Sequence, residues 1–466
     1  MVIACVHLSF LPWALGARAI WAQNVSLAFG LVALVVGLWP RRYRGELAPQ
    51  GAFILHPWSR LLKFPVFWLG LLLFAYVSCQ GLNPAYVKAT AGFYWWLASI
   101  DHISWLPSGV DAPFEEMNAW RMLIVWGGAW SLSCGLWIGI TRRASAQAIL
   151  TTLAINGTLL ALLGILQKVT LAKGVFWVIT SAPSYFTATF FYKNHAGAYF
   201  NLIFAVTITL MAWHHLRALR RVERSSPAPV YAFIAVVLVS IIFLAGSRAA
   251  MILLIGYALA AVGILVIWRL RNRHGTTHPA ATGLVFTAIL SAAIISASFL
   301  NLDKGIEEIR RIATEDGQKA HWEPRVLARQ ATFDLVEMNP CFGWGAGSFR
   351  HIFPATQRNY ERIYRGGIYQ QNTYKWDHAH NDYAEALAEL GVLGFLLPVL
   401  ALLWICVKTV RIGVTSNPAY VILVLGLFMP LAHAWVDFPL YNPAILVTFS
   451  ALWILLVRWL EIEAAR

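Results

Sequence analysis

The sequence predicts an all-α, polytopic integral membrane protein with about twelve transmembrane helices and one large helical periplasmic loop. Of its 466 residues, 59% are hydrophobic and 12% are charged, which is far fewer charges than soluble domains carry. Apolar runs of roughly 20 residues, the length that crosses a bilayer, recur from the first residues to Trp459. Basic residues gather in the short connectors between these runs, as is typical of membrane topology.

The apolar runs define the candidate spans of a single membrane domain, residues 1–466. We place these spans at 3–20, 23–39, 64–80, 119–140, 146–167, 195–213, 229–245, 249–268, 281–300, 383–408, 418–436 and 442–460. No convincing internal repeat and no low-complexity linker divides the chain.

The charge of the connectors orients these spans. If the spans alternate in direction, every short basic connector lies on the same side of the membrane. The positive-inside rule makes that side the cytoplasm, with both termini there. The net charge of +14 is then explained by anchoring in the membrane, so we expect no nucleic-acid partner.

The longest loop, residues 301–382, lies between spans nine and ten on the periplasmic side. It carries eleven Lys or Arg and eleven Asp or Glu, which resembles the composition of a soluble helical cap. Within it, residues 324–338 predict an amphipathic helix with Pro324 at its first position. Arg325 and Arg329 then lie one turn apart on one face.

The cysteines do not indicate a disulfide framework, because there are five and four of them fall within or beside apolar spans. Cys341 alone lies well inside the periplasmic loop. We therefore expect it to be a free thiol.

The start of the tenth span is the main candidate for chemistry. His380 and Asn381 stand directly before it, and Asp382 with Glu385 has the spacing of a capping box. The positive end of a helix dipole disfavours a charged imidazole, so a neutral His380 can act as a base near neutral pH. The alternative is that His378 and His380 merely lie at the water interface.

Two further helix starts on the same side carry basic side chains. Arg248 closes a Gly-Ser turn between two spans, and Lys193, Asn194 and His195 precede the sixth span. Free backbone amides at a helix start, together with a guanidinium, form an anion site. The three helix starts therefore predict one site for a pyrophosphate-like anion. The alternatives are chance co-location and an Arg248 that only reaches lipid headgroups.

Two other motifs have structural interpretations. The glycine-rich run from Gly343 to Gly347 follows a helix stop rather than a strand, so we expect a tightly turning support and not a nucleotide-binding loop. His433 and Asp437 are four residues apart near the outer end of the eleventh span. Two ligands are too few for a good metal site, so we expect a hydrogen-bonded pair and no bound metal.

These residues resemble the O-antigen ligase and polymerase superfamily. The most specific match is His380-Asn381, nine residues, then Gly391, two residues and Gly394, which is similar to the ligase signature. Lys193 stands where the family commonly has Arg. The resemblance covers roughly residues 180–450. Its weaker matches are Phe191 to His195, Gly246 to Arg248, Arg325, Asn339 to Phe349, His433, Asp437, Phe438 and Pro443.

The resemblance implies an inverting glycosyltransferase without metal or cofactor, located in the bacterial inner membrane and active on its periplasmic side. The implied donor is a glycan on undecaprenyl pyrophosphate, and the acceptor is a saccharide, either lipid A core or a growing surface polysaccharide. The base would be His380, while Arg248, Arg325 and Lys193 would stabilise the leaving pyrophosphate. The remaining predicted substrate-binding residues are Asn194, His195, Asn381, Arg329, His378, His433 and Asp437.

Three other functions stay open at this point. The acceptor can be a protein hydroxyl, as in related pilin-glycosylating enzymes. A twelve-span polysaccharide or lipid transporter also fits the topology, although transporters usually place ionisable residues at the bilayer midplane, where this sequence has almost none. A non-catalytic scaffold is the third alternative, and it would tolerate substitution of His380, Arg248 and Arg325.

Overall fold

A computed structural model describes residues 1–43, 53–92, 94–181, 185–221, 225–271, 323–365 and 375–465. In this part of the chain, nine helices are long and apolar enough to cross a membrane, and two shorter apolar helices accompany them. These eleven helices correspond to eleven of the expected spans. The expected ninth span, 281–300, lies outside the described residues, so the count of twelve stays a prediction.

The apolar helices occur in the following order along the chain. They are α1 (Val2–Trp13), α2 (Ile20–Leu38), α4 (Pro65–Leu82), α5 (Ala119–Gly139), α6 (Arg143–Val169), α7 (Lys193–Arg221), α8 (Ala228–Ala245), α9 (Arg248–Arg271), α14 (Asp382–Ile412), α15 (Pro418–His433) and α16 (Pro443–Ala464). A short helix, α3 (Pro57–Leu62), precedes α4.

The first span is shorter than the sequence predicts. Helix α1 ends at Trp13, and a 3₁₀ turn at Leu15–Ala17 follows, with Gly16 in the left-handed region at φ +69°. A Cβ at Gly16 would lie 2.8 Å from Asn442 Nδ2 and 3.0 Å from the Phe190 ring. The turn is thus fixed by a close tertiary contact. Hydropathy does not detect it, because the residues of the turn are themselves mostly apolar.

Small residues allow the helices to approach closely. Helices α2 and α5 pack along their length, and a Cβ on Gly30 would come within 2.8 Å of the Gly128 carbonyl oxygen. A Cβ on Gly135 would come within 2.9 Å of the Ala33 carbonyl oxygen. Such contacts stabilise helix pairs inside a membrane, where apolar burial alone gives no preference for protein over lipid. Helix α7 lies at the centre, since its entire apolar window is buried.

Charged residues from several helix ends meet at one end of the bundle. Glu461 near the end of α16 pairs with Lys408 at 3.0 Å and with Arg60 at 3.9 Å. Glu463 pairs with Arg143 at 3.1 Å. These basic residues all come from connectors that the sequence places on the cytoplasmic side. The structure therefore gathers them at a common end, as alternating spans require.

The opposite end contains a small sheet that the all-α prediction missed. Strand β3 (Pro84–Ala91) pairs antiparallel with β4 (Tyr94–Ser99) and parallel with β5 (Gly109–Asp111). Aromatic residues such as Tyr94, Trp95 and Trp96 favour strands. Two further two-stranded sheets are formed by β1 (Arg41–Tyr43) with β2 (Phe53–Leu55) and by β6 (Gly174–Val175) with β7 (Ile179–Thr180).

The described part of the long loop packs on this sheet as a helical cap. Helix α10 (Glu323–Met338) confirms the predicted amphipathic helix, and three short helices follow it: α11 (Phe349–Ile352), α12 (Pro354–Gln357) and α13 (Glu361–Tyr364). Ala328, Ala331 and Leu335 of α10 form a buried cluster with Phe349 and Phe353. This cluster fixes the position of α10 above the start of α14.

Candidate active site

His380 is held by a buried carboxylate from a distant part of the chain. Its Nδ1 lies 3.1 Å from Asp437 Oδ1. Asp437 is in the turn after α15, and this turn is tied to the start of α14 because the Asp382 N–H donates to the Ala434 carbonyl at 2.9 Å. The Asn381 side-chain amide donates to the Trp435 carbonyl at 3.0 Å. These bonds bring two helix ends together and place the imidazole against the carboxylate.

Asp437 accepts hydrogen bonds on both oxygens and is almost fully buried. Its Oδ2 accepts from the Tyr192 hydroxyl at 2.9 Å and from the Asn194 side-chain amide. Arg325 NH2 lies 3.9 Å from the same oxygen. Burial raises the pKa of Asp437, but the hydrogen bond from His380 and the charge of Arg325 lower it well below its usual range. The carboxylate is therefore ionised at neutral pH and acts only as an acceptor.

The acceptor character of Asp437 assigns the tautomer of His380. Nδ1–H donates to the carboxylate, so Nε2 of the neutral ring carries the lone pair. The His380 side chain is 22% exposed, whereas that of Asp437 is 2% exposed. His380 also has a left-handed backbone at φ +53°, a conformation that non-glycine residues adopt infrequently. The site therefore offers one reachable basic nitrogen on an imidazole whose orientation is fixed.

Four polar or aromatic side chains surround the ring of Phe438, the residue after Asp437. His378 stacks on this ring at a centroid distance of 4.2 Å, and His380 meets it edge-on at 5.1 Å. Tyr192 stacks at 5.3 Å and His195 contacts it edge-on at 4.9 Å. The predicted residues at the starts of α7 and α14 are thus joined through one phenylalanine that the sequence analysis did not assign to the site.

The start of α14 is capped differently from the expected capping box. Asn381 is the N-cap, and its side-chain oxygen accepts the Ala384 N–H at 2.9 Å. Glu385 is one residue beyond the third helical position that a box requires. It turns back instead, accepting from the Ala379 N–H at 2.7 Å and lying 2.7 Å from His378 Nδ1. Glu385 therefore orients His378, which is the first of the two histidines.

The glycine-rich loop supports the site, as expected, by docking on a break in α14. Gly391 interrupts the helix with φ +62° and ψ −179°. The backbone groups freed there are satisfied by the loop, because the Gly345 N–H donates to the Glu389 carbonyl at 2.8 Å and the Val392 N–H donates to the Pro340 carbonyl at 2.8 Å. Of the two glycines in the ligase-like signature, Gly391 is therefore the one that this junction requires.

The predicted pair of His433 and Asp437 does not form. Helix α15 ends at His433, so Asp437 lies beyond the helix and not one turn further along the same face. Within the described part of the chain, neither ring nitrogen of His433 has a hydrogen-bond partner, although the residue is buried. The carboxylate pairs with His380 instead.

The other predicted cations, Arg248, Lys193 and Arg329, lie on elements that adjoin this network. The turn before Arg248 packs on the start of α7, where a Cβ on Gly197 would be 3.0 Å from the Ser247 Cβ. Lys193 begins α7 and is close enough to Lys168 for their charges to interact. No ion pair joins Arg329 to Asp437 among the described residues, although Arg329 is on the same helix as Arg325. Arg325 is therefore a predicted cation that lies directly beside the network.

A cavity of about 710 Å³ opens beside the Phe438 ring. Its polar end is lined by three arginines that the sequence analysis did not select, Arg18, Arg121 and Arg350. Arg18 and Arg121 look like ordinary boundary arginines in sequence, whereas Arg350 lies inside the long loop. The three are far apart along the chain. The one available signal was Arg121, which lies in the first turn of an apolar span.

Together, the fold and this histidine–carboxylate network define a multi-pass membrane protein with a polar site at one end of its helical bundle. A family model described as O-Antigen ligase matches residues 233–399, which include Arg248, Arg325 and His380. No curated protein matches the chain. The family match confirms the resemblance to the O-antigen ligase and polymerase superfamily. It supports a membrane glycosyltransferase of the ligase or polymerase type.

Proposed function

We propose that the chain transfers a glycan from undecaprenyl pyrophosphate to a saccharide hydroxyl, with His380 as the base, on the periplasmic face of a bacterial inner membrane. The observation that carries this proposal is the bond between His380 Nδ1 and Asp437, which leaves Nε2 as the reachable basic nitrogen. A base held in this way contributes about 10²- to 10⁴-fold to a proton-transfer step.

The reaction is a direct displacement. The acceptor hydroxyl gives its proton to His380 Nε2 while its oxygen attacks the anomeric carbon. The bond from that carbon to the phosphate oxygen breaks, and the electron pair leaves with undecaprenyl pyrophosphate. Asp437 stays a carboxylate throughout and balances the charge that forms on the imidazole.

The carboxylates of the site favour inversion of the anomeric configuration. A retaining transfer through a covalent intermediate needs a carboxylate free to attack the sugar. Both oxygens of Asp437 accept protein hydrogen bonds, and both oxygens of Glu385 contact the segment that contains His378. A single displacement is therefore the mechanism that these side chains support.

We propose that fixed cations, and no metal, stabilise the leaving group. Arg325 NH2 lies 3.9 Å from Asp437 Oδ2, where it balances the buried carboxylate, and its side chain is 37% exposed. Lys193 and Arg248 stay predicted contributors from adjacent helix starts. An arginine can form two parallel bonds with a phosphate, whereas Lys193 offers a point charge.

The test is transfer by the purified full chain in detergent, with a lipid-linked glycan donor and no ion gradient. Release of undecaprenyl pyrophosphate is expected only when an acceptor is added, and His380→Ala should lower the rate by about 10²- to 10⁴-fold. The matched control is His102→Ala, because His102 is an exposed histidine outside the network, bonded to the Ile100 carbonyl. The control should retain the wild-type rate.

The same assay distinguishes the possible acceptors. Product on lipid A core indicates a ligase, longer lipid-linked chains indicate a polymerase, and product on a protein hydroxyl indicates an oligosaccharyltransferase. Equal rates for His380→Ala and the wild type would contradict the assignment of the base. Movement of intact donor across a vesicle membrane without any transfer would support a transporter instead.

A further inference from the structure

The end of the β3–β4 hairpin presents exposed aromatic residues next to the cap. Tyr94, Trp95 and Trp96 are all exposed at the start of β4. Successive residues of a strand point to opposite faces, so Trp95 shares its face with Leu97, which packs on the buried cluster of the cap. The Trp95 ring meets His351 of α11 edge-on at a centroid distance of 6.0 Å. This ring therefore lies between the cap and solvent.

Polar groups of both charges surround the Trp95 ring. Lys88 Nζ lies 5.5 Å from the centroid of the ring and forms an ion pair with Glu116. The hydrogen bond from Lys88 lowers the pKa of Glu116, so this half-exposed carboxylate is ionised at neutral pH. The charge of the exposed Lys375 acts on both Glu116 and His351. We call Lys88, Trp95, Glu116 and His351 the hairpin patch.

One buried atom of the hairpin patch lacks a partner. His351 is 4% exposed, and its Nε2 has no hydrogen bond to any residue that the structure describes. This nitrogen lies 3.9 Å from Glu116 Oε2, which is longer than a hydrogen bond. Burial lowers the pKa of His351 to about 4, so the ring is neutral at neutral pH. A hydroxyl oxygen between the two groups would bond to both, so the gap suits a ligand that carries hydroxyls.

We propose that the hairpin patch binds the glycan of the donor, at sugars beyond the one that reacts. This inference rests on the proposed function, in which the donor carries a chain of sugars and the acceptor supplies one hydroxyl. The C–H groups on the face of a sugar ring are weakly positive and stack on the negative face of an aromatic ring. The sugar hydroxyls both donate and accept, so they bond to ammonium and carboxylate groups alike. The hairpin patch offers an indole ring and charges of both signs.

Arg350 and Asp377 connect the hairpin patch to the candidate active site. Arg350 precedes His351 in α11, and its NH1 lies 3.8 Å from Asp377 Oδ1. Asp377 is three residues before His380, and both Arg350 and Asp377 line the cavity beside Phe438. A chain of sugars that leads away from His380 would therefore pass polar side chains before it reaches the hairpin patch.

The bilayer interface is the other surface at which exposed aromatic residues commonly lie. It suits the base of the hairpin, where Trp105 is exposed and Asn83 bonds to the carbonyl and the N–H of Ile103 directly after α4. Trp95 lies opposite Thr90, which is seven residues beyond Asn83. At about 3.3 Å per residue, it is about 20 Å further along the strand. Its charged neighbours also favour a water-soluble ligand over lipid.

The experiment measures binding of lipid-free glycans to the purified full chain by isothermal titration calorimetry in detergent. The probes are glycans released by mild acid from the lipid-linked donor of the native host, separated into single repeat units and chains of several units. We expect the longer chains to bind at least about 10-fold more tightly, because only they reach both the active site and the hairpin patch.

Two variants of Trp95 test the stacking contact. Trp95→Leu keeps an apolar side chain against the cap but removes the flat ring, so it should weaken the longer chains by about 10-fold. Trp95→Phe restores an aromatic ring and should retain most of the affinity. The matched control is Trp105→Leu, which removes an exposed tryptophan at the base of the same hairpin. This control should bind the longer chains as tightly as the wild type.

Equal affinity for single units and longer chains, or wild-type affinity in Trp95→Leu, would overturn the inference. The bilayer alternative is tested with a spin label on Thr90→Cys, opposite Trp95, after the five native cysteines are replaced by serine. In lipid nanodiscs, the label should be accessible to a water-soluble nickel complex. Preferential access of oxygen would place the hairpin patch in the bilayer and would also overturn the inference.

The transfer assay keeps the two proposals distinct. Trp95→Leu should raise the KM for a long-chain donor by about 10-fold without lowering kcat, because the contact is the same before and during the reaction. An effect that follows the length of the acceptor would contradict the assignment to the donor. If His380→Ala abolishes transfer while Trp95→Leu keeps the wild-type KM, the glycan site is wrong and the function stands. If Trp95→Leu loses glycan binding but His380→Ala keeps the wild-type rate, the base is wrong and the glycan site stands.

Discussion

Asp437 links three parts of the chain through one carboxylate. Tyr192 and Asn194 come from the start of α7, Arg325 from the cap, and His380 from the loop before α14. The carboxylate keeps its charge despite burial because these donors and cations surround it. The main effect of this carboxylate is to fix one tautomer of His380, so we treat Asp437 as a positioning residue.

Asp437→Asn should lower the transfer rate by about 10²- to 10⁴-fold. An amide carries N–H groups in place of one acceptor oxygen, so it no longer requires Nδ1–H of His380 and permits the tautomer with the proton on Nε2. The comparison is Tyr192→Phe, which removes one donor to Asp437 but keeps the bond between Asp437 and His380. A loss in Tyr192→Phe as large as in Asp437→Asn would contradict this role.

The Asp437→Asn substitution also changes how the stability of the protein depends on pH. Because the folded-state pKa of Asp437 is lowered, its stabilising contribution is fully present above the ordinary carboxyl pKa of about 4 and is lost as the pH falls below that value. The difference in Tm between the wild type and Asp437→Asn should thus shrink as the pH falls below about 4. A difference that stays constant below that pH would contradict the lowered pKa of Asp437.

At the residue scale, the sequence identified most of the polar side chains of the His380 network but not which of them bond to one another. His380, Asn194, Arg325 and Asp437 were all predicted site residues, and the structure joins them in one network. The prediction of the partner of Asp437 was wrong, because the spacing along a helix suggested His433. A contact between residues 57 positions apart depends on how two helix ends pack, which no local pattern reports.

At the element scale, helix α14 is broken where the cap attaches to it. The break at Gly391 exposes backbone groups, and the glycine-rich loop supplies their partners. Gln80 of α4 reinforces the junction, since its side-chain amide donates to the carbonyls of Phe342 and Glu389 at 3.0 and 3.1 Å. The cap is thus locked to two membrane helices directly behind the candidate site.

Gly391→Ala should destabilise the protein by at least about 3 kcal/mol, through the left-handed backbone and a steric clash. A Cβ at this position would lie 2.3 Å from the Cys341 carbonyl oxygen and 2.5 Å from the Gly343 nitrogen. Both are backbone atoms, so no side-chain rotation relieves the contact. The measurement is thermal unfolding of the purified variant in detergent.

The control for this substitution is Gly256→Ala. Gly256 lies in the middle of α9, and a Cβ there would meet nothing within 4 Å. Alanine in a helix is favoured over glycine by about 0.5 to 1 kcal/mol, so this variant should be as stable as the wild type or slightly more so. Equal Tm values for the two variants would show that the junction at Gly391 is not under steric constraint.

Sequence reasoning predicted elements well where hydrophobic length decides them and poorly where tertiary contacts do. The span expected at 119–140 corresponds closely to α5, and the cap helix expected at 324–338 begins one residue earlier, at Glu323. The end of α1 at Trp13 and the three-stranded sheet were missed. Both depend on packing against residues far away in sequence.

At the scale of the whole molecule, the charges divide between the two ends of the bundle. One end holds the ion pairs of Glu461 and Glu463 with basic residues of the connectors. The other end holds the His380 network, the cap and the mouth of the cavity. This division is what the positive-inside rule leads us to expect of a membrane protein whose site faces away from the cytoplasm.

The orientation can be tested with the native thiol of Cys341, which is exposed at the end that carries the cap. In a variant whose other four cysteines are replaced by serine, a membrane-impermeant maleimide should label Cys341 in intact spheroplasts. The matched probe is Arg411→Cys, together with Cys341→Ser, because Arg411 is in the last turn of α14, at the opposite end from His380. It should be labelled only after the membrane is permeabilised. The opposite result would be labelling of the Arg411→Cys variant, and no labelling of the variant that keeps Cys341, in intact spheroplasts. That result would place His380 in the cytoplasm. A donor glycan on the outer leaflet would then be out of reach of the base, and the transfer that we propose would be impossible in the cell.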